Sequence, residues 1–129
     1  MRIEVYFRRV QRVIELCSII QLTSITYEKR GSYEGLIKGN LSFVDGSTLY
    51  VREYIDTERA VDRLMYVYQY LSSSKALVFR YDNTGHHKKL GLSTYPHHKH
   101  EGSDDNVVSS TAPDLANIFR EIESIIRLP

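Results

Sequence analysis

Residues 41–51, Leu41-Ser42-Phe43-Val44-Asp45-Gly46-Ser47-Thr48-Leu49-Tyr50-Val51, decide how the chain folds. Asp-Gly between two alternating apolar runs is a strong hairpin signal. The turn has two candidate lengths. A two-residue turn would set Leu41 and Phe43 on the face opposite Leu49 and Val51. A three-residue turn closed by Gly46 as a bulge pairs Leu41 with Leu49 and brings both apolar sets to one face. A one-residue slip turns every side chain over, so burial selects the second. The buried face is then Gly35, Ile37, Gly39, Leu41 and Phe43, across from Leu49, Val51, Glu53 and Ile55. Glu53 is the exception in that row. A carboxyl group among apolar neighbours needs a cation or several donors. It either orients an arginine or histidine of a site or reaches to solvent at a sheet edge.

Working outward, residues 24–30 suit a strand and Gly31-Ser32 a turn, with further strands at 33–44 and 47–56. Residues 63–71 form a fourth strand, with Tyr66, Tyr68 and Tyr70 on one face and Met65, Val67 and Leu71 on the other. The tyrosine row suits a half-buried sheet face with its hydroxyls at the rim, or a base-stacking ladder. Left uncovered, it would serve as a homodimer or partner surface. Residues 76–82 form the fifth strand, dividing Val78, Arg80 and Asp82 from Leu77, Phe79 and Tyr81. Before the sheet, Ile3, Phe7, Val10, Ile14 and Cys17 recur at helical spacing and predict an amphipathic helix over 3–20. Its outer face carries Arg8, Arg9 and Arg12, which read as solvated charge. Residues 83–110 hold no sustained period and contain Gly85, Gly91, Pro96 and Gly102, so they read as one long functional loop. Thr111-Ala112-Pro113-Asp114 starts a second helix whose apolar face is Leu115, Ile118, Phe119, Ile122 and Ile126. The order predicts one α+β domain over residues 1–129: a five-stranded, mainly antiparallel meander with an N-terminal and a C-terminal helix packed on one face.

The 129 residues suit a single domain, and 42% hydrophobic with 26% charged residues is ordinary globular composition. A formal net charge of +1 excludes a bulk electrostatic case for nucleic-acid binding, so any such case must be local. Residues 75–100 supply it, with Lys75, Arg80, Lys88, Lys89 and Lys99 against Asp82 alone. All 5 histidines, His86, His87, His97, His98 and His100, fall in the same block. The 1 cysteine, Cys17, excludes an internal disulfide and a Cys-based zinc site, and its place on the apolar helix stripe suits core packing. No apolar run is long enough to span a bilayer, and Met1-Arg2-Ile3-Glu4-Val5 has no signal-peptide core. The expectation is a cytoplasmic protein with no membrane partner.

The run Phe79-Arg80-Tyr81-Asp82-Asn83, then His86-His87, then Pro96-His97-His98-Lys99-His100, resembles the signature of the TumE family, small toxins of type II toxin–antitoxin modules. Glu34-Gly35-Leu36-Ile37, the Phe43-Val44-Asp45-Gly46-Ser47 turn and Arg52-Glu53-Tyr54-Ile55-Asp56 are similar to the same pattern, over about residues 5–102. The resemblance implies an antitoxin partner carrying a helix-turn-helix domain. It names a system rather than a reaction, so the chemistry is argued from residue types.

Three readings fit the window. The first is metal-independent RNA cleavage, which needs no cofactor. Attack of a ribose 2′-hydroxyl on its phosphate needs a base, an acid and cations for the developing charge. His98, His100, His87, His97 and His86 supply imidazoles; Arg80 and Lys99 could hold the phosphate. Asp82 or Glu53 could fix a histidine tautomer, Lys88 and Lys89 could bind RNA, and Tyr68 or Tyr81 could stack a base. The second is a metal-dependent nuclease, with His98, His100, His87 and Asp82 as ligands. Lys88, Lys89 and Lys99 around them repel cations and weigh against it. The third is a non-catalytic binding module whose basic loop docks the antitoxin or a nucleic acid.

Overall fold

The computed structural model describes residues 1–83, 98–102, 107–109 and 113–126. Helix α1 (Ile3–Glu15) leads into β1 (Ile20–Lys29), β2 (Glu34–Phe43), β3 (Thr48–Asp56), β4 (Asp62–Leu71), β5 (Leu77–Asp82), β6 (His98–Glu101) and β7 (Val107–Ser109), and α2 (Leu115–Ile126) follows. Among the described residues the strands form one antiparallel meander in chain order, seven across. The expected α+β architecture is therefore present, with two strands more than the sequence suggested. Both lie in the stretch read as a loop, so that part of the expectation is corrected.

The hairpin register is the one that burial selects: Leu41 pairs with Leu49, Gly39 with Val51, Ile37 with Glu53 and Gly35 with Ile55. Gly46 sits at φ +86°, which a residue with a side chain rarely adopts. The Asp45 carboxyl accepts from the Ser47 backbone N–H at 3.0 Å and from its hydroxyl at 2.5 Å. The Tyr70 hydroxyl then donates to Ser47 Oγ at 2.8 Å, tying the turn to β4.

Helix α1 buries Ile3, Phe7, Val10 and Ile14, as its periodicity predicts, but ends at Glu15 instead of running to residue 20. Cys17 N–H bonds to the Ile14 carbonyl, a tightened last turn, and the β-branched Ile19-Ile20 pair passes into the sheet. The helix seats over Gly35, where an added Cβ would stand 2.5 Å from the Phe7 ring. Helix α2 starts at Leu115, with Asp114 Oδ1 accepting from the Asn117 N–H at 2.9 Å as its cap. It buries Leu115, Ile118, Phe119 and Ile122.

Both helices cover the same sheet face. Phe119 meets Phe43 edge to face, and Phe43 meets Tyr70 in the same way. Tyr66, Tyr68 and Tyr70 all lie on this covered face and are fully buried. This corrects the idea of the tyrosine row as an open dimer or partner surface. Alternation fixes which residues share a face; the helices then take the face rich in rings because it has the most apolar area to hide.

Candidate functional site

The face that neither helix covers carries the groups to which the sequence points. Strands β5 and β6 pair Arg80 with His100, Asp82 with His98, and Tyr81 with Lys99. Directly paired residues of an antiparallel ladder project to the same side. Phe79 and Tyr81 go into the core, so Arg80, Asp82 and His100 go to the other face.

There Asp82 joins the other two. Its Oδ2 lies 3.1 Å from Arg80 Nε and 3.3 Å from His100 Nε2. Asp82 is 1% exposed and His100 5%, while the Arg80 side chain keeps 32% of its surface in solvent. The carboxyl group so placed stands at ion-pair distance from both groups, an electrostatic contact rather than an aligned hydrogen bond. Asn83 finishes β5: its amide oxygen accepts from the Tyr66 N–H and its amide nitrogen donates to the Leu64 carbonyl, so it locks the end of the β4–β5 ladder.

The other candidates divide. His86, His87, His97, Lys88 and Lys89 lie outside the described residues. His98 holds the register position opposite Asp82, and its side chain is likewise outside them. Lys99 belongs to the helix side. Its Nζ lies 3.0 Å from both Glu121 and Glu101 and 4.8 Å from the Tyr81 ring centre. Burial works to lower the Lys99 pKa, but hydrogen bonds to Tyr81, Glu121 and Glu101 outweigh it and hold the ammonium charged. The expectation that Lys99 holds the phosphate beside Arg80 is therefore corrected: one residue of register puts it on the opposite face. Tyr81 donates to Glu121 at 2.6 Å, and burial pushes its hydroxyl up to about 12. Buried against Phe79 and with Lys99 over its ring, Tyr81 has no face to offer a base.

Glu53 is also on the helix side and does not reach Arg80, Asp82 or His100. It is 1% exposed and is satisfied by two phenols, Tyr6 at 2.5 Å and Tyr68. Tyr68 in turn accepts from Arg63 Nη1 at 2.9 Å, and the same nitrogen donates to the Pro113 carbonyl at 2.8 Å. Burial, then the neighbouring Glu53, raises the pKa of both phenols. Burial opposes the Arg63 charge, but Tyr68 and Glu53 more than compensate. Glu53 is thus a structural hub tying α1, β3 and β4 to the start of α2, which corrects its candidacy as a catalytic or histidine-orienting group. Tyr68, buried inside this hub, cannot stack a base. Sequence reading missed Tyr6 and Arg63. A tyrosine on the edge of the α1 stripe and an arginine opening β4 were signals of partners for the in-line Glu53.

Among the described residues no three His, Cys, Asp or Glu side chains gather as a metal site. Asp82 and His100 are the two proposed metal ligands whose side chains are described.

The family model described as Toxin TumE matches residues 10–126. The chain belongs to the TumE family of toxins. The TumE match takes in the whole sheet, all of α2 and every residue of the Arg80–Asp82–His100 cluster. No curated protein and no solved structure matches the chain. TumE membership gives the chain a toxin role and suggests an antitoxin partner. Among the described residues no helix is long and apolar enough to cross a membrane.

Proposed function

We propose that this toxin acts on RNA, cleaving it without a metal, through the cluster on the sheet face away from the two helices. One observation carries the reading: on that face, a buried carboxyl group stands within ion-pair distance of a nearly buried imidazole and a part-exposed guanidinium. In this reading the 2′-hydroxyl loses its proton to one imidazole and attacks the adjacent phosphorus. The 5′-oxygen leaves with a proton from a second imidazole, giving a 2′,3′-cyclic phosphate and a 5′-hydroxyl end. His100, with Nε2 facing Asp82, takes one of these roles through Nδ1. His98, across the ladder from Asp82, is the first choice for the other, with His97, His87 and His86 behind it. Arg80 stabilises the extra charge that develops on the phosphate oxygens. Lys88 and Lys89 would add to RNA binding, and the antitoxin partner would carry a helix-turn-helix domain.

The test is incubation of the purified toxin with RNA in excess chelator. The expected result is cleavage leaving cyclic-phosphate ends, lost in His100→Ala and in Arg80→Ala. Cleavage abolished by chelator and restored by one metal would replace this mechanism with a metal-dependent one. No cleavage by either route, with His100→Ala still toxic in cells, would leave the docking role.

A further inference from the structure

The face that carries Arg80, Asp82 and His100 continues across the sheet in two register rows. One runs Lys38, Arg52, Val67, Asp82, His98. The row beside it runs Asn40, Tyr50, Gln69, Arg80, His100. Lys38 and Asn40 alternate with the core residues Ile37 and Leu41, and Arg52 lies between the buried Val51 and Glu53, so these side chains share the face away from the helices. Lys38, Asn40 and Arg52 are exposed, and Tyr50 and Gln69 are half-buried.

Charge is arranged unevenly on this face. Among the described residues neither Lys38 nor Arg52 has an ionic partner. Asp82 lies in the same row and is engaged with Arg80 and His100, and Glu28 and Glu34 lie towards the ends of β1 and β2. Glu28 is paired with Arg30 at 2.9 Å, and Glu34 accepts from the Tyr54 hydroxyl at 2.8 Å. Lys38 and Arg52 are thus exposed and available to an anion, with Glu28 and Glu34 on the acidic side of the face. Strands lie about 4.8 Å apart, so Lys38 to Asp82, three strands on, is about 14 Å. Two cations therefore stand in the row that reaches Asp82, whose carboxyl group lies 3.1 Å from the Arg80 guanidinium of the adjoining row.

We propose that a single strand of RNA lies across β2 to β5 on this face. Its phosphates follow Lys38 and Arg52, its bases meet Asn40, Tyr50 and Gln69, and its reacting phosphate reaches Arg80. This rests on the RNA reading above and adds the path of the substrate. RNA fits better than an acidic protein because the second row offers amides and a phenol ring, which hydrogen-bond and stack on bases. A protein partner draws its energy from apolar anchors filling pockets.

The experiment is fluorescence anisotropy of the full chain with a labelled 2′-O-methyl oligoribonucleotide, a probe that lacks the attacking hydroxyl and so is bound but not cut. The double variant Lys38→Gln/Arg52→Gln should bind about tenfold more weakly, and its log–log salt slope should be shallower by about 1.4, since each phosphate contact on a single strand contributes about 0.7. Arg8→Gln/Arg12→Gln, on the outer face of α1, should bind as the parent does. Parent-like affinity and slope in the Lys38/Arg52 variant would overturn this path while leaving RNA cleavage standing. Weakened capture of the antitoxin with unchanged RNA binding would also overturn it and give the face to the protein partner. A parent chain that binds no probe would overturn the RNA reading itself.

Discussion

Replacing Tyr68 with phenylalanine removes one oxygen from the middle of a buried chain and leaves the ring in place. That oxygen donates to Glu53 and accepts from Arg63. Without it Glu53, 1% exposed, keeps only the Tyr6 hydroxyl of its two phenols, and Arg63 loses one acceptor. Leaving a buried, charged acceptor short of a partner costs about 1–3 kcal/mol or more, so we expect a loss of about 3 kcal/mol. With an unfolding entropy of roughly 2.1 cal/mol/K per residue, that corresponds to a fall of about 11 °C in Tm for a chain of this length. Urea and thermal unfolding followed by circular dichroism measure it. The Tyr6→Phe change, on a half-exposed group, should cost about half as much. Because Glu53 and Arg80 occupy opposite faces, Tyr68→Phe should keep its toxicity at a temperature where it is folded. A Tm shift under 2 °C, or lost toxicity in a folded variant, would refute the assignment of Glu53 as a structural hub.

Other outcomes follow from particular contacts. Gly39→Ala should cost about 3 kcal/mol or more, read by urea unfolding, because φ is +150° and a Cβ would stand 2.0 Å from the Ser24 carbonyl oxygen. Gly35→Ala pushes on Phe7 and Ile3 and should lift α1 at a cost of about 1–3 kcal/mol, seen as faster amide exchange in that helix. Lys99→Gln should lower Tm by breaking the Glu121 and Glu101 pairs yet leave RNA cleavage intact, since the side chain is on the helix side. Burial holds Tyr66 and Tyr81 near 12 against an ordinary value of 10.0, so the neutral phenols are favoured in the folded state. Their contribution to stability is complete below pH 10 and drains away as pH rises from 10 to 12. Unfolding midpoints measured across that interval should fall, and a flat profile would refute it.

By itself, the sequence determined what is local. Alternation over residues 41–51 and a glycine able to adopt positive φ fix the β2–β3 register, since any slip exposes Leu41, Phe43, Leu49 and Val51 together. Helical spacing fixes the buried stripes of α1 and α2. Clustered histidines mark the stretch to inspect. Strands β6 and β7 were not legible, because segments of 4 and 3 residues are too short to show a period and pair through backbone groups. Only the tertiary structure decided which face the helices cover, and with it every role on the sheet. Packing turned the tyrosine row inward, made Glu53 a hub and left Arg80, Asp82 and His100 on the outer side. The physical reason is parity: neighbours in a strand point to opposite sides, so Lys99 and His100, adjacent in sequence, meet different partners once burial has chosen a side.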